Sequence, residues 1–413
     1  MAEAQWALAA PARRMKLKAG SLALTALLAL LTSLGPLSTD MYLPSLPAIG
    51  RFFSASTSSV QLTLSLFLAG FAAGQIIYGP LSDAWGRKPV LTGGLLAFLI
   101  ATLGCALAPS MDLLIAARFA QAVGACAAVV LARAIVRDLY EASDAARMLS
   151  MMGALMGLVP AIGPVLGGVL ETQFGWRASF VLSAVLAFLL ILSVALLLPE
   201  TLAADRRGRV SFARMRGDFA LLVKSPVFRR YAGAVCLAYG GLFAFISGSS
   251  FVLQQHYGLT ELQFGLSFAL CVGGYIAGTL LAIRYSTSHG ISALLFAGTI
   301  ALAVGGVSMV ILMSSAAPQV WHVLLPMVIY MVGVGLALPQ STAGAITPFP
   351  LAAGTASSLM GFCQMTFAAL VGIVTAAYID DYPAALGWVI AGLGVANLAL
   401  ALLWRARGEE NAR

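Results

Sequence analysis

The chain is predicted to be an all-α integral membrane protein with twelve transmembrane helices in two six-helix bundles, and three observations predict it. Of 413 residues, 60% are hydrophobic and only 10% are charged, a composition that fits a polytopic membrane protein. Apolar runs of about 20 residues, the length that crosses a bilayer, recur from end to end. Arg and Lys fall almost wholly between those runs and sort to one side of the membrane, as the positive-inside bias requires. The net charge of +8 is thereby explained by topology, and no nucleic-acid partner is expected.

The spans follow in order. Arg13, Arg14, Lys16 and Lys18 precede the first run, 20–44. That run is long and no small-residue cleavage site follows it, so it is read as a retained helix rather than a signal peptide. Runs 58–80, 89–108, 111–133, 148–170 and 178–199 complete a first half, residues 1–199. Residues 200–228 form a cytoplasmic linker rich in Arg, where Phe212, Met215, Phe219 and Leu222 recur at helical spacing. This spacing predicts a short amphipathic helix on the inner leaflet. The second half, 229–413, holds runs 229–253, 262–284, 290–314, 320–341, 352–378 and 383–404. Pro and Ser interrupt the pattern at 44–58 and 341–352. Arg87, Lys88, Arg133, Arg137, Arg147, Arg284, Arg405 and Arg407 share one side with the N-terminal cluster, and only Arg51 and Arg177 fall outside. Both termini are therefore expected in the cytoplasm.

Between the second and third runs lies Gly79-Pro80-Leu81-Ser82-Asp83-Ala84-Trp85-Gly86-Arg87-Lys88-Pro89-Val90-Leu91. A charged, glycine-punctuated turn of this kind cannot lie in lipid. It resembles the signature loop of the major facilitator superfamily, G-x-L-a-D-r-x-G-r-k-x-x-l. Asp83 can pair with Arg87 or with a basic residue such as Arg137, and it can favour a helix N-terminus. The resemblance implies a cytoplasmic gate, latched against span eleven, that uses Gly79, Asp83, Gly86, Arg87, Lys88 and Arg137. Asp138, Glu141, Asp144 and Arg147 are read as the solvated end of spans four and five.

Charges inside spans are expensive and are functional candidates by default. Asp40, late in span one, and Arg118, early in span four, lie at comparable depth, which suggests a facing pair. Burial and a nearby guanidinium would act on the carboxyl proton in opposite directions, as proton coupling requires. A static buried ion pair is the alternative. Asp40 sits in Ser38-Thr39-Asp40-Met41-Tyr42-Leu43-Pro44-Ser45-Leu46-Pro47, which resembles the first-span signature of drug:proton antiporters of the bicyclomycin/chloramphenicol-resistance (Bcr/CflA) subfamily. That resemblance implies protonation and drug binding at Asp40. Arg118-Phe119-Ala120-Gln121 is similar to the family's R-x-x-Q-G motif, with Ala122 in place of its glycine and Gly124 two residues on. Pro160, Gly163, Pro164, Gly167 and Gly168 resemble the antiporter motif g-x-x-x-G-P-x-x-G-G, which implies export. Independently, proline bends a helix and small residues let neighbours approach.

Transporters of this architecture bind substrate near the midplane between halves. The second half offers aromatic, amide and thioether side chains there: Tyr239, Phe243, Gln340, Phe362, Gln364 and Met365. Tyr42 and Gln121 join them from the first half. Such a lining suits varied, partly hydrophobic molecules and disfavours multiply anionic ones. The five cysteines all lie inside apolar runs and are read as packing residues. No H-E-x-x-H, paired-carboxylate or Walker sequence is present, so no enzyme, metal, cofactor or ATP-driven pump is expected. The expected partners are a small molecule, protons and membrane lipids, and the protein is expected to act as a monomer. Export of an endogenous metabolite (a sugar, amino acid derivative or short peptide) is the alternative to drug export.

Overall fold

The computed structural model describes residues 21–208, 212–315, 317–379 and 382–410. The basic residues 13–18 lie outside them. Thirteen α-helices follow one another, with no strand among the described residues. In chain order they are α1 Leu22–Asp40, α2 Leu46–Phe53, α3 Thr57–Trp85, α4 Arg87–Ala106, α5 Met111–Leu139, α6 Ala142–Phe174 and α7 Arg177–Leu197. Then come α8 Phe212–Lys224, α9 Pro226–Ser250, α10 Glu261–Met313, α11 Trp321–Ile346, α12 Ala353–Tyr378 and α13 Ala385–Glu410.

Local chemistry sets most helix starts. Ser21, Ser56, Ser110 and Ser225 each accept a first-turn N–H through their side chain, and Thr260 with Gln263 forms a capping box. The interruption expected at 44–58 is real. Pro44 and Pro47 end the first span in a 3₁₀ turn and the short α2, before Ser54 takes a left-handed φ of 51°.

Among the described residues, eleven helices are long and apolar enough to cross a membrane, one of them α10 with 53 residues. A straight helix of that length would run about 80 Å, against a hydrocarbon core of about 30 Å. It breaks at Gly290, where φ is 73° and ψ is 170°. Its arms, 261–289 and 291–313, are the two separate spans expected there, which makes the count twelve. Gly86, between α3 and α4, has nearly the same backbone, φ 98° and ψ 157°. The two turns occupy equivalent places in the two halves. The repeat is thus preserved where the backbone must leave the helical region, and only glycine does so without strain.

The halves meet along two seams, α3 against α12 and α6 against α10. On the first, Gly372 fits between Ser65 of α3 and Phe243 of α9, and Gly361 lies on the side chain of Gln75. On the second, a Cβ at Gly168 would come 2.6 Å from the Glu261 carbonyl, and one at Gly265 would come 2.6 Å from that of Pro164. These contacts lie at the end away from the linker, called the far end below. Toward the linker end, Gly153 and Gly157 of α6 and Gly273 of α10 have no atom within 4 Å of a Cβ position. The α6–α10 seam is closed at one end and open at the other.

The helix expected in the linker forms as α8, but its apolar face does not simply rest on lipid. Leu222 is buried and Phe219 half-buried in a cluster with Phe228 at the start of α9 and Ala356, Leu359 and Met360 of α12. Leu221 and Val223 point the other way and are exposed. Side chains 212–214 lie outside the described residues.

The closed end of the α6–α10 seam depends on backbone contact that a methyl group would block. Gly265→Ala should cost this form about 1–3 kcal/mol through overpacking. Thermal unfolding in detergent should fall accordingly, and cysteines placed at the far end of the seam should label faster than in the parent protein.

Candidate functional site

Asp40 is the last residue of α1 and is 6% exposed. Its Oδ2 is buried and has no hydrogen-bond partner among the described residues. The reason it is enclosed lies in the small residues of α6. A Cβ at Gly163 would come 2.6 Å from the Asp40 Cβ, and Gly167 packs directly on the Met41 carbonyl. Gly168 and the Pro164 carbonyl face α10 instead. The Gly163-Pro164-x-x-Gly167-Gly168 run is therefore a three-helix junction: two glycines admit α1, while the third glycine and the proline carbonyl receive α10. Pro160 lies within α6 one turn toward the linker end. Ser179 of α7 donates to the Met41 carbonyl at 3.1 Å. Two turns farther along α6, Glu171 accepts from Ser45 at 2.6 Å.

Arg118 is fully buried, but it does not pair with Asp40 among the ion pairs of the described residues. Its guanidinium lies over the rings of Phe67 at 4.3 Å, Tyr42 at 4.6 Å and Phe180 at 5.9 Å. Its Nη1 donates to Gln121 Oε1 at 2.6 Å, and Gln121 Nε2 donates to Thr102 at 2.9 Å. Tyr42 and Thr63 share a hydrogen bond of 2.9 Å between their hydroxyls. Nε and Nη2 have no hydrogen-bond partner among the described residues. The facing pair suggested by equal depth is thus replaced by an aromatic cage inside the first bundle, held by cation–π attraction. Tyr42 lies on Arg118, while Asp40 packs on Gly163 at the junction.

The motif glycine missing at Ala122 is compensated from the other side. A Cβ at Gly70 of α3 would come 2.5 Å from the Phe119 carbonyl and 3.2 Å from the Ala122 Cβ, so the close approach is kept. Gly124 serves a different neighbour, the Phe98 backbone of α4. Of the pocket candidates, Tyr42 and Gln121 belong to the cage and not to the space between halves. Phe243 is fully buried against Gly372. Gln340 is buried on α11, whereas Tyr239, Phe362, Gln364 and Met365 are half-buried, the last three within a single turn of α12. Phe67, Phe180, Thr63 and Thr102 escaped sequence analysis. The only signal for them is aromatic and hydroxyl side chains at matching depth in neighbouring spans.

At the linker end, Arg87 is the hub of the loop. Its Nη1 lies 2.6 Å from Asp83 Oδ1 and donates to Ser82 Oγ at 2.6 Å, and its Nε donates to Asp138 Oδ2 at 3.0 Å. Asp138 is therefore part of this network and not of a solvated helix end, and it also accepts from Thr201 at 3.2 Å. Lys88 donates to the carbonyls of Ala195 and Leu198, where a cation suits the end of α7. Arg137 does not reach Asp83. It stands beside Gly354, with Nη1 3.8 Å from the Cβ position there, at the start of α12. Gly79 has open space around its Cβ position, so packing does not require glycine there.

The family described as the Major Facilitator Superfamily matches residues 28–376. The chain belongs to the Major Facilitator Superfamily. It is 32% identical over 391 residues to the chloramphenicol resistance protein of Pseudomonas aeruginosa, covering 92% of this chain and 90% of that one. It is 30% identical over 351 residues to a bicyclomycin resistance protein homolog of Haemophilus influenzae, covering 84% and 87%. These relatives place it in the Bcr/CflA branch that residues 38–47 resemble. Among solved structures, a D-xylose-proton symporter superposes with a TM-score of 0.75 over 92% of this chain and 95% of its own, at 16% identity. That likeness is one of fold.

Removing one wall of the Arg118 cage leaves both a cavity and a less compensated charge. Phe180→Ala should lower stability by about 3–5 kcal/mol, while Phe180→Tyr, which keeps the ring face, should retain most of it. Denaturant unfolding of the two variants in the same detergent checks this.

Proposed function

We propose that this transporter exports small, partly hydrophobic drugs, such as bicyclomycin- or chloramphenicol-like compounds, in exchange for protons. It works by alternating access in the bacterial inner membrane, as a monomer with both termini in the cytoplasm. The observation that carries this is the Asp40 carboxyl, enclosed where α1, α6 and α10 meet and with Oδ2 unpartnered. A bare carboxylate at such depth is costly. A proton removes that cost, and so does a cationic or hydrogen-bond-donating solute. Exchange of one for the other keeps the junction compensated in both directions of the cycle, which is antiport.

The candidate cargo walls are Tyr239 of α9 and Phe362, Gln364 and Met365 on α12. Aromatic, amide and thioether groups grip varied molecules with little directional demand. Access from the linker end is supported by the open inner part of the α6–α10 seam. The far end is held by Ser250 donating to the Leu43 carbonyl at 2.7 Å, Gln254 to that of Pro44 at 3.1 Å and Ser58 to that of Ala376 at 2.9 Å. Outward release breaks these three bonds. Each is worth about 0.5–1.5 kcal/mol net, small enough for proton binding to tip the balance. The Asp83–Arg87–Asp138 cluster is the gate at the linker end, and Arg137, beside the start of α12, stands where that gate meets the second half.

Asp40→Asn tests the reading. Expressed in an efflux-deficient bacterium, it should return chloramphenicol-type accumulation to that of cells lacking the transporter. In proteoliposomes it should lose drug-evoked proton movement while its thermal stability holds or rises, because a buried acid is gone. Drug-evoked proton movement at the parent rate in Asp40→Asn would sink the proposal.

A further inference from the structure

The chain leaving α7 turns back onto the loop between α3 and α4. Glu200 Oε1 accepts the backbone N–H of Arg87 at 2.9 Å, and its Oε2 accepts that of Lys88 at 3.3 Å. Arg87 and Lys88 open α4, where N–H groups have no partner within the helix. The N-cap residue, Gly86, has no side chain to supply one. Glu200 is therefore a cap delivered from 113 residues away, and its negative charge also suits the positive end of the helix.

The same carboxylate is tied in further. Its Oε1 accepts the Leu202 N–H at 3.0 Å, and Arg207 Nη2 lies 3.7 Å from Oε2. On either side, the Gly208 N–H donates to the Asp83 carbonyl at 3.2 Å, and Thr201 donates to Asp138. Residues 198–208 thus lace the loop from both flanks. Glu200 also occupies the place of a side chain at Gly86: a Cβ there would overlap Oε2 and lie 3.0 Å from Cδ. Glycine at 86 is demanded twice, by its φ of 98° and by this carboxylate.

The second half provides an internal control. The turn at Gly290 has the same kind of backbone, φ 73° and ψ 170°, yet no atom lies within 4 Å of its Cβ position. The turn and the following helix form there with no carboxylate at the Cβ position among the described residues. Glu200 is consequently not required to make such a turn, and its presence in the half that carries Asp83, Arg87 and Asp138 calls for another role.

We propose that Glu200 is a positioning residue of the gate, which locks residues 83–88 to the end of α7 and so sets how strongly the gate holds. This rests on the gate reading of Asp83 and Arg87. With Glu200 removed, the loop keeps its ion pairs but loses its anchor, and the linker end changes its balance between open and closed forms.

The test is carried out on the full chain with spin labels at two exposed linker-end positions on opposite halves, Arg147→Cys and Arg284→Cys, read as a distance distribution. Asp83→Asn is the gate control. Glu200→Ala should change the ratio of the two populations at least threefold in the same direction as Asp83→Asn. Glu200→Gln, which keeps an acceptor oxygen for α4, should restore the ratio part of the way. A cap that only stabilises α4 would lower the unfolding temperature and leave the ratio unchanged, which would overturn the proposal. If Asp83→Asn shifts the ratio and neither Glu200 variant does, Glu200 is outside the gate and the gate reading stands. If none of the three shifts it, the gate reading fails and takes this inference with it. Should Glu200→Ala fail to assemble, Glu200→Gln against the parent decides by the same criterion.

Discussion

Everything at the centre of this transporter depends on helix backbones touching at the α1–α6–α10 junction. Gly163 and Gly167 admit the end of α1, and Gly168 with Gly265 lets α6 and α10 close on each other's carbonyls. Between membrane helices there is little hydrophobic driving force, so close packing of small residues carries the association. The consequence is chemical as well as structural. The helix that closes the far end is the one that lies on Asp40, so the seam cannot move without changing the surroundings of that carboxyl. Under the proposed antiport, a proton on Asp40 and the position of the seam belong to one linked equilibrium.

Arg118 has a different job from the one its depth suggests. Stacked on Phe67, Tyr42 and Phe180 and bonded to Gln121, it joins α3, α5, α7 and the turn after α1 around one charge. A buried guanidinium is tolerable there because its hydration is weak and its flat faces take aromatic partners. Tyr42 links this cage to the junction, since Asp40 is only two residues away. Any shift of the α1 end is therefore felt by both charges, although they do not touch.

The two halves share a scaffold and divide the work. Gly86 and Gly290 repeat the same backbone turn, but only the first is surrounded by acid and base: Asp83, Arg87, Asp138 and Glu200 on one, nothing within 4 Å of the Cβ position on the other. The groups proposed to face cargo show the opposite bias, with Tyr239, Phe362, Gln364 and Met365 all in the second half. On the proposed function, one bundle holds the charges of the gate and the other a permissive wall.

The sequence by itself determined the twelve spans, the place of the signature loop and the identity of Asp40 as the membrane-embedded acid. Those follow from local quantities: the length of an apolar run, the cost of charge in lipid, and glycine and proline spacing. It could also show that Arg118 lies at the depth of Asp40. Only the tertiary structure decided that the two do not pair, because depth is one coordinate and the face of a helix is another. The cage of Phe67 and Phe180, the recruitment of Asp138 by Arg87, and Glu200 capping α4 all join residues tens to more than a hundred positions apart. Nothing in local periodicity encodes such partners. They are chosen when packing brings an unsatisfied charge or N–H within reach of the one group able to meet it.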